Sequence, residues 1–309
     1  MDFSFTPEQQ ELKRQAREWL ASRYPLDRDW DAQGDSWAEL AELGWLGVSI
    51  SEDEGGVGLG FVEEGILLEE LGYALYPGPY LATIGLALPW LGSEQRAKVA
   101  AGEERWSVEV DGLVPWLRSV DSVVADGAAY PADGGEEPTV DPSRPLGRLE
   151  RGNATSLPGS ADVPKARAAM ACESVGVAQR ALDLGIEHAR TREQFGKPIG
   201  VYQAVSHALA DTYADIELAR SLSYWAAWCV AEEDEQAPIA SAAAKAFATD
   251  AAVTACERSI QVHGGTGFTW EHPLHRFYKR ALWLKGFGES SAELRAQVAE
   301  LVLGAPVTA

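Results

Sequence analysis

Positive charge is scarce in this chain of 309 residues: 26 lysines and arginines stand against 47 aspartates and glutamates, a formal net charge of −21. Such a balance repels phosphate polymers and anionic lipid surfaces, so nucleic acid and membrane are excluded as partners, while one anionic ligand held at a local Arg site is not. Cysteine is scarce too. Cys172, Cys229 and Cys256 lie far apart in apolar helical patterns with no C-x-x-C, which excludes a disulfide framework and reads as buried thiols in a reducing compartment. Apolar runs fall short of the roughly 18 residues a membrane helix needs, and MDFSFTPEQQELKRQ has no signal-peptide core, so a cytoplasmic protein is expected. Histidine is limited to five. His272-Pro273-Leu274-His275 suggests a metal, but no third ligand accompanies it; no metal site is expected, and these histidines are placed at the surface. What the chain does have is apolar mass: 46% hydrophobic residues and 24% charged, enough for two or three domains with a substantial core.

Three textures follow one another. Residues 1–105 read as helical: Thr6-Pro7 followed by Glu8 and Gln9 starts a helix through Leu12, Ala16 and Leu20, and Trp37 to Leu43 forms a second, closed by Gly44. The glycine-rich Gly55 to Gly60 looks like G-x-G-x-x-G at first. It has no preceding strand, and Glu52, Asp53 and Glu54 would repel a pyrophosphate, so a Rossmann reading is rejected. Residues 106–160 alternate short β-type runs, Ser107 to Val110 and Ser122 to Val124, with turn clusters rich in Pro, Gly and Asp, a segment too short for a barrel or sandwich of its own. Residues 161–309 return to helix: about Pro164 to Arg190, Val201 to Glu232, Pro238 to Val262, and a final helix from Ala292 to Leu303, making a four-helix bundle. Glu232 to Glu235 is a solvated loop. The eleven tryptophans, Trp270 included, read as core and interface residues.

Two compact motifs punctuate the helical region. In Arg192-Glu193-Gln194-Phe195-Gly196, the Arg brings a fixed fork of donors suited to phosphate oxygens, Phe195 an apolar surface, and Gly196 with Pro198 a turn that presents both. The same residues would also suit a capped turn with a solvated Arg and a core Phe. In Gln261-Val262-His263-Gly264-Gly265-Thr266-Gly267, glycines let backbone N–H groups approach an anion. A helix C-cap with a turn is the alternative there.

Taken together, the order and spacing of these motifs resemble the acyl-CoA dehydrogenase family of flavoproteins, whose C-terminal helical domain carries R-x-x-F-G and Q-x-x-G-G-x-G turns separated by long antiparallel helices. Gln203, Ala210-Asp211 and Lys245-Ala246 extend the likeness, and Glu54 to Gly58 with Glu69 to Gly72 resemble the family's N-terminal loop and helix end. The fold implied is mainly α: an N-terminal helical domain, a truncated middle β segment and a C-terminal four-helix bundle. The resemblance implies that Arg192, Gln194, Phe195, Gln203, Gln261, Gly264 and Gly265 contact the ADP half of an FAD bound by a neighbouring subunit. It also implies α,β-dehydrogenation of an acyl-CoA, with electron-transfer flavoprotein as acceptor.

Against that family pattern, two things are missing. The Thr-Glu-Pro and Gly-Ser-Asp segments that cover the flavin ring are not found in residues 106–160. Nor does either family position of the catalytic Glu carry one: Gly288 stands at the first and Ala166-Arg167 at the second, leaving Glu289 and Glu271 as substitutes. The expectation is therefore a short, non-catalytic subunit of a hetero-oligomeric acyl-CoA dehydrogenase, similar to the two-component α2β2 enzymes of steroid side-chain β-oxidation, with a longer partner supplying ring platform and base. A self-sufficient homo-oligomer using Glu289, another flavin activity on the fold, and a structural chain without ligand are the alternatives.

Overall fold

The computed structural model describes residues 4–30 and 34–304; the first three residues of the N-terminal domain named above and the last five of the C-terminal one lie outside them. Helix α1 (Pro7–Arg23) begins where the sequence predicts. Thr6 Oγ1 accepts from the Gln9 N–H at 3.2 Å, and the Thr6 N–H donates to Gln9 Oε1 at 3.0 Å, a reciprocal capping box with Pro7 in the first turn. Thr6→Ala should lower stability by about 1 kcal/mol, read as a small fall in melting temperature; an unchanged melt would mean that Pro7 alone sets the start. Helix α2 (Trp37–Glu42) buries Trp37 and Leu40 and ends at Gly44, which takes φ 73°. The acidic and glycine-rich stretch that follows is made of 3-10 turns at Trp45–Gly47 and Glu52–Glu54 and a loop leading into α3 (Phe61–Ala74), with no strand before it among the described residues. It is a helix lead-in, as the Rossmann rejection requires.

A short π-helical stretch, Leu81–Ala87, and α4 (Ser93–Ala100) complete the N-terminal helical region. The β region then folds as two small sheets. One has the order β1 (Trp106–Val108), β3 (Ser122–Ala125), β4 (Ala128–Pro131), β7 (Thr155–Ser156); β1 runs parallel to β3, with Trp106 opposite Ser122, and the other pairs are antiparallel. The second has the order β2 (Val114–Pro115), β6 (Leu146–Leu149), β5 (Gly134–Glu137) and is antiparallel. Strands of two to four residues cannot bury two faces. The inner residues Trp106, Val108 and Val124 join the main core shared with the helices, and Val114, Leu117 and Val123 form a small core of their own.

Three long helices follow: α5 (Val163–Thr191), then a two-stranded hairpin of β8 (Glu193–Gln194) and β9 (Lys197–Pro198), α6 (Gln203–Ala231) and α7 (Ala237–His263). Small residues let them approach: a Cβ on Gly176 of α5 would lie 1.8 Å from the Glu69 carbonyl oxygen of α3, so only glycine permits this crossing. Helix α8 (Leu274–Gly286), not foreseen in the sequence, packs on α5 and α7, while α9 (Ser291–Leu303) lies against α7 through Leu294 and Val298 on Ala242 and Ala246. The bundle is thus the three long helices with α8, and the final helix is an outer brace. Helix α8 buries Leu274, Phe277, Ala281 and Leu284 at three- and four-residue steps, with Arg280 buried beside them.

That arginine ties the molecule together. Its Nε donates to Asp141 Oδ2 at 2.6 Å, Nη1 to Glu173 Oε1 at 2.9 Å, and Nη2 to Ser143 Oγ at 2.8 Å and the Tyr76 carbonyl at 3.2 Å. Arg144 also pairs with Glu173 and lies between the rings of Trp116 and Trp283, 4.8 and 4.6 Å from their centroids. N-terminal region, β region and bundle meet at this buried set of two cations and two carboxylates.

Candidate functional site

Because α6 reverses the chain and α7 reverses it again, α5 and α7 run parallel and end together. Ser259 Oγ of α7 donates to the Ala181 carbonyl of α5 at 2.6 Å, and one turn further His188 stacks on His263 with centroids 4.2 Å apart. The two motifs, separated by some seventy residues of sequence, therefore sit at one end of the bundle, and α6 starts at that same end with Gln203. Arg192 is the C-cap of α5; its N–H donates to the His188 carbonyl at 2.8 Å, and its exposed guanidinium has no carboxylate partner among the described residues.

The first motif is a hairpin tip. Phe195 and Gly196 take φ 52° and 71°, both left-handed, as a two-residue hairpin turn requires. The core placement of Phe195 fails: the ring is 91% exposed, touched edge-on by Tyr202 at 6.4 Å. Gln194 is exposed beside it, its carbonyl accepting from Tyr202 Oη at 3.1 Å. In the second motif Gln261 is exposed on the last turn of α7, and Gly264 ends the helix at φ 62°, a conformation that favours glycine. A Cβ built on Gly264 or Gly265 would meet nothing within 4 Å, so their backbone faces open space.

Two features of this end were not singled out. Phe268 and Trp270 are each 72% exposed, so Trp270 belongs to the surface and not to the core. Four of the five histidines gather here. His272 is packed against His263 at 4.4 Å, and Trp270 meets His275 edge-on at 4.7 Å, which corrects the placement of His272 and His275 as free surface residues: both are partly buried. The signal lay in their number, but one-dimensional spacing cannot bring His188 to residues 263–275. Among the described residues no group of three or more His, Cys, Asp or Glu is placed to hold a metal ion, and no helix is long and apolar enough to cross a membrane.

The other candidate, Glu289, lies elsewhere, on a cavity of about 310 Å³ between the β region and the start of α5, with Leu86, Val108, Met170 and Phe287 in its apolar wall. Arg167, itself buried, pairs with Glu289 through Nη2 and through Nε at 3.1 Å, and Lys245 Nζ stands 3.5 Å from the other carboxylate oxygen while donating to the Phe287 carbonyl at 3.0 Å. Partial burial pushes the Glu289 carboxyl up, but Arg167 and Lys245 outweigh it and hold the group below the usual carboxylate range. Burial pushes Lys245 down against the pull of Glu289. Gly288, beside it, takes φ 68°, and a Cβ there would approach Lys245 Nζ at 3.4 Å. Glu271 is exposed and its carboxyl lies below the usual range through its own backbone N–H and Thr269. Glu289→Gln should cost about 1–2 kcal/mol, the value for a charged hydrogen bond reduced for solvent screening, and is checked by denaturant titration.

Helices before and after a small β region, with two glycine-containing turns converging at one bundle end, make up the architecture. The chain belongs to the acyl-CoA dehydrogenase family: the acyl-CoA dehydrogenase N-terminal domain matches residues 6–99 and the C-terminal domain residues 161–303. It is 35% identical to acyl-CoA dehydrogenase IpdE2 of Mycobacterium tuberculosis over 82% of each chain. It is 34% identical to acyl-CoA dehydrogenase FadE34 of the same organism over 86% of this chain and 42% of that protein. Among solved structures it resembles the Tcur3481-Tcur3483 steroid ACAD variant, with TM-score 0.82, 26% identity and coverage of 96% of this chain and 98% of that one. The ChsE4-ChsE5 complex from Mycobacterium tuberculosis shares the fold, with TM-score 0.87 at 24% identity, covering 99% and 100%.

Proposed function

We propose that this chain is the short subunit of a hetero-oligomeric, FAD-dependent acyl-CoA dehydrogenase, and that its role is to hold the ADP end of an FAD seated on a longer partner subunit. The observation that carries this is the convergence of Arg192, which has no carboxylate partner among the described residues, a solvent-facing Phe195 and the open Gly264-Gly265 backbone at one end of the bundle. Arg192 would clamp phosphate oxygens, Gly264 and Gly265 would offer backbone N–H groups to the same anion, and Phe195 would cover apolar surface across the interface. Gln194, Gln203 and Gln261, all exposed at this end, would donate to the remaining polar atoms.

Bound FAD would supply the acceptor for the hydride that leaves the acyl β-carbon. The carboxylate that takes the α-proton is assigned to the partner. A useful base there needs a raised pKa, whereas Glu289 is held charged by Arg167 and Lys245 and Glu271 lies in solvent; Gly288 and Ala166 are the residues at the family's two base positions. A self-sufficient enzyme using Glu289 is disfavoured on the same ground. The likeness to a steroid ACAD at 26% identity supports a steroid-derived acyl-CoA as substrate of the complex, with electron-transfer flavoprotein as its oxidant. FadE34, of which this chain matches 42%, is long enough to join such a unit to a second one in a single chain.

The test is flavin content. Protein made alone should be colourless, and co-expression with a longer acyl-CoA dehydrogenase should give a yellow complex, two of each chain, with one FAD per pair. A yellow homo-oligomer made alone would overturn the proposal and return Glu289 to the active site.

A further inference from the structure

Beneath the two turns runs a column of imidazoles. His188, on the last full turn of α5, stacks on His263, the last residue of α7, at 4.2 Å with 27° between planes; His263 in turn meets His272, on the segment leading to α8, at 4.4 Å and 55°. Each ring comes from a different one of the three segments that build this end, and each sits a few residues from a turn: His188 four before Arg192, His263 directly before Gly264. Their hydrogen bonds fix which nitrogen is free. His263 Nδ1 donates to the Ser259 carbonyl at 2.8 Å, leaving Nε2 as the basic atom, while His272 Nδ1 accepts the Leu274 N–H at 3.3 Å. Protonating His272 would therefore set two N–H groups against each other.

We propose that His188, His263 and His272 are positioning residues whose neutral stack sets the Arg192 hairpin against the Gly264 turn, so that the two separate when the rings are protonated. This rests on the assignment of the two turns to an FAD. The charged and titratable groups facing the column are Glu187 and Arg192 from α5 and His275 from α8, with Arg276 and Lys279 behind His275. One carboxylate against several cations makes this a poor place for a further positive charge. Burial, with the neighbouring rings, pushes His272 down to about 4; burial and His263 push His188 down, and burial pushes His263 down although Ser259 and Glu187 oppose it. A base depressed in the stacked form binds its proton more readily once unstacked. The stack is thus at full strength above the ordinary histidine value of about 6.5 and is weakened progressively as pH falls below it.

Hydrogen exchange of the full chain, followed over residues 192–199 and 264–269 at pH 7.5 and 5.5 and corrected for chemical exchange rates, reads this directly. The natural chain should open up to about tenfold more at pH 5.5, one proton over one pH unit. His272→Phe, which keeps a flat ring without a titrating nitrogen, should lower that ratio while His188 and His263 keep part of the acid response, and His272→Ala should raise exchange already at pH 7.5. His188→Phe, at the outer end of the column, is the second variant should the first fail to fold; it should also lower the ratio, by less, because His272 still titrates. An acid response in the Phe variants equal to that of the natural chain, or no change in His272→Ala, would overturn the proposal. FAD release from the mixed complex, followed by flavin fluorescence, should track the exchange ratios, and Arg192→Ala should speed release at every pH. Exchange as expected with FAD release indifferent to Arg192→Ala would leave the stack standing and sink the cofactor assignment instead.

Discussion

Replacing Arg280 by methionine is expected to lower stability by about 3–5 kcal/mol, the cost of breaking a buried ion pair from one side. At this chain length that corresponds to a fall in melting temperature of roughly 5–8 °C. The guanidinium is fully buried and bonds Asp141, Glu173, Ser143 and the Tyr76 carbonyl, so its removal strands two carboxylates against Arg144 alone. Burial and the neighbouring Arg280 already push Arg144 down to about 10. Burial pushes Glu173 and Asp141 up, but the two arginines outweigh it and both carboxyls lie below their ordinary values. Groups depressed in this way contribute stability that is full above the unfolded carboxylate value of about 4 and is lost as pH falls through the folded one. The natural chain should therefore unfold in acid more steeply than Arg280→Met, whose carboxylates have less to lose. Circular-dichroism melts at pH 7 and at about pH 2.5, below the unfolded carboxylate value, check both; a loss within about 2 °C at pH 7 would mean that water or Arg144 compensates the site.

Arg192→Ala in the mixed complex should weaken FAD binding roughly 10- to 100-fold, the equivalent of one charge-assisted bond to a phosphate. The fall should appear as flavin lost on gel filtration, without a change in the melting temperature of the isolated chain, since Arg192 is exposed and has no carboxylate partner among the described residues. Phe195→Ala should weaken the association of the two chains as well as flavin retention, because the ring is 91% exposed and meets its own chain's rings only at the edge of Tyr202. Retention unchanged in both variants would remove the hairpin from the cofactor site and favour a purely structural role for this chain.

The architecture was readable because the long helices announce themselves: Ala168, Ala171, Val175, Ala178 and Leu182 recur at three- and four-residue steps, and all are buried in α5. Helix α8 carries the same signal, with Leu274, Phe277, Ala281 and Leu284 at three- and four-residue steps, whereas the burial of Arg280 beside that stripe is explained only by the distant Asp141 and Glu173. At the candidate site the residue types were legible and their conformations were not. A Phe before a Gly can close a core turn or tip a hairpin, and the sequence spacing does not decide which; positive φ at both residues does. The histidine column was invisible because two of its three rings come from the end of α7 and the segment before α8, while the third lies on α5, and stacking between parallel helices leaves no trace in local periodicity.

The clamp around Arg280 also has a consequence for the order in which this protein can be born. Its bond to the Tyr76 carbonyl spans 204 positions of chain, so the N-terminal helices and the β region leave the ribosome well before the cation that neutralises Asp141 and Glu173. Glu173 precedes Arg280 by 107 positions, so at translation rates of about 5–20 residues per second both carboxylates wait on the order of 5–20 s for it. During that interval the nascent chain carries two carboxylates with only Arg144 to meet them, and final docking of its three regions waits for α8. A chain cut short before residue 280 would then expose its unfinished core to proteolysis, whereas one cut after α8 would lose only the outer brace.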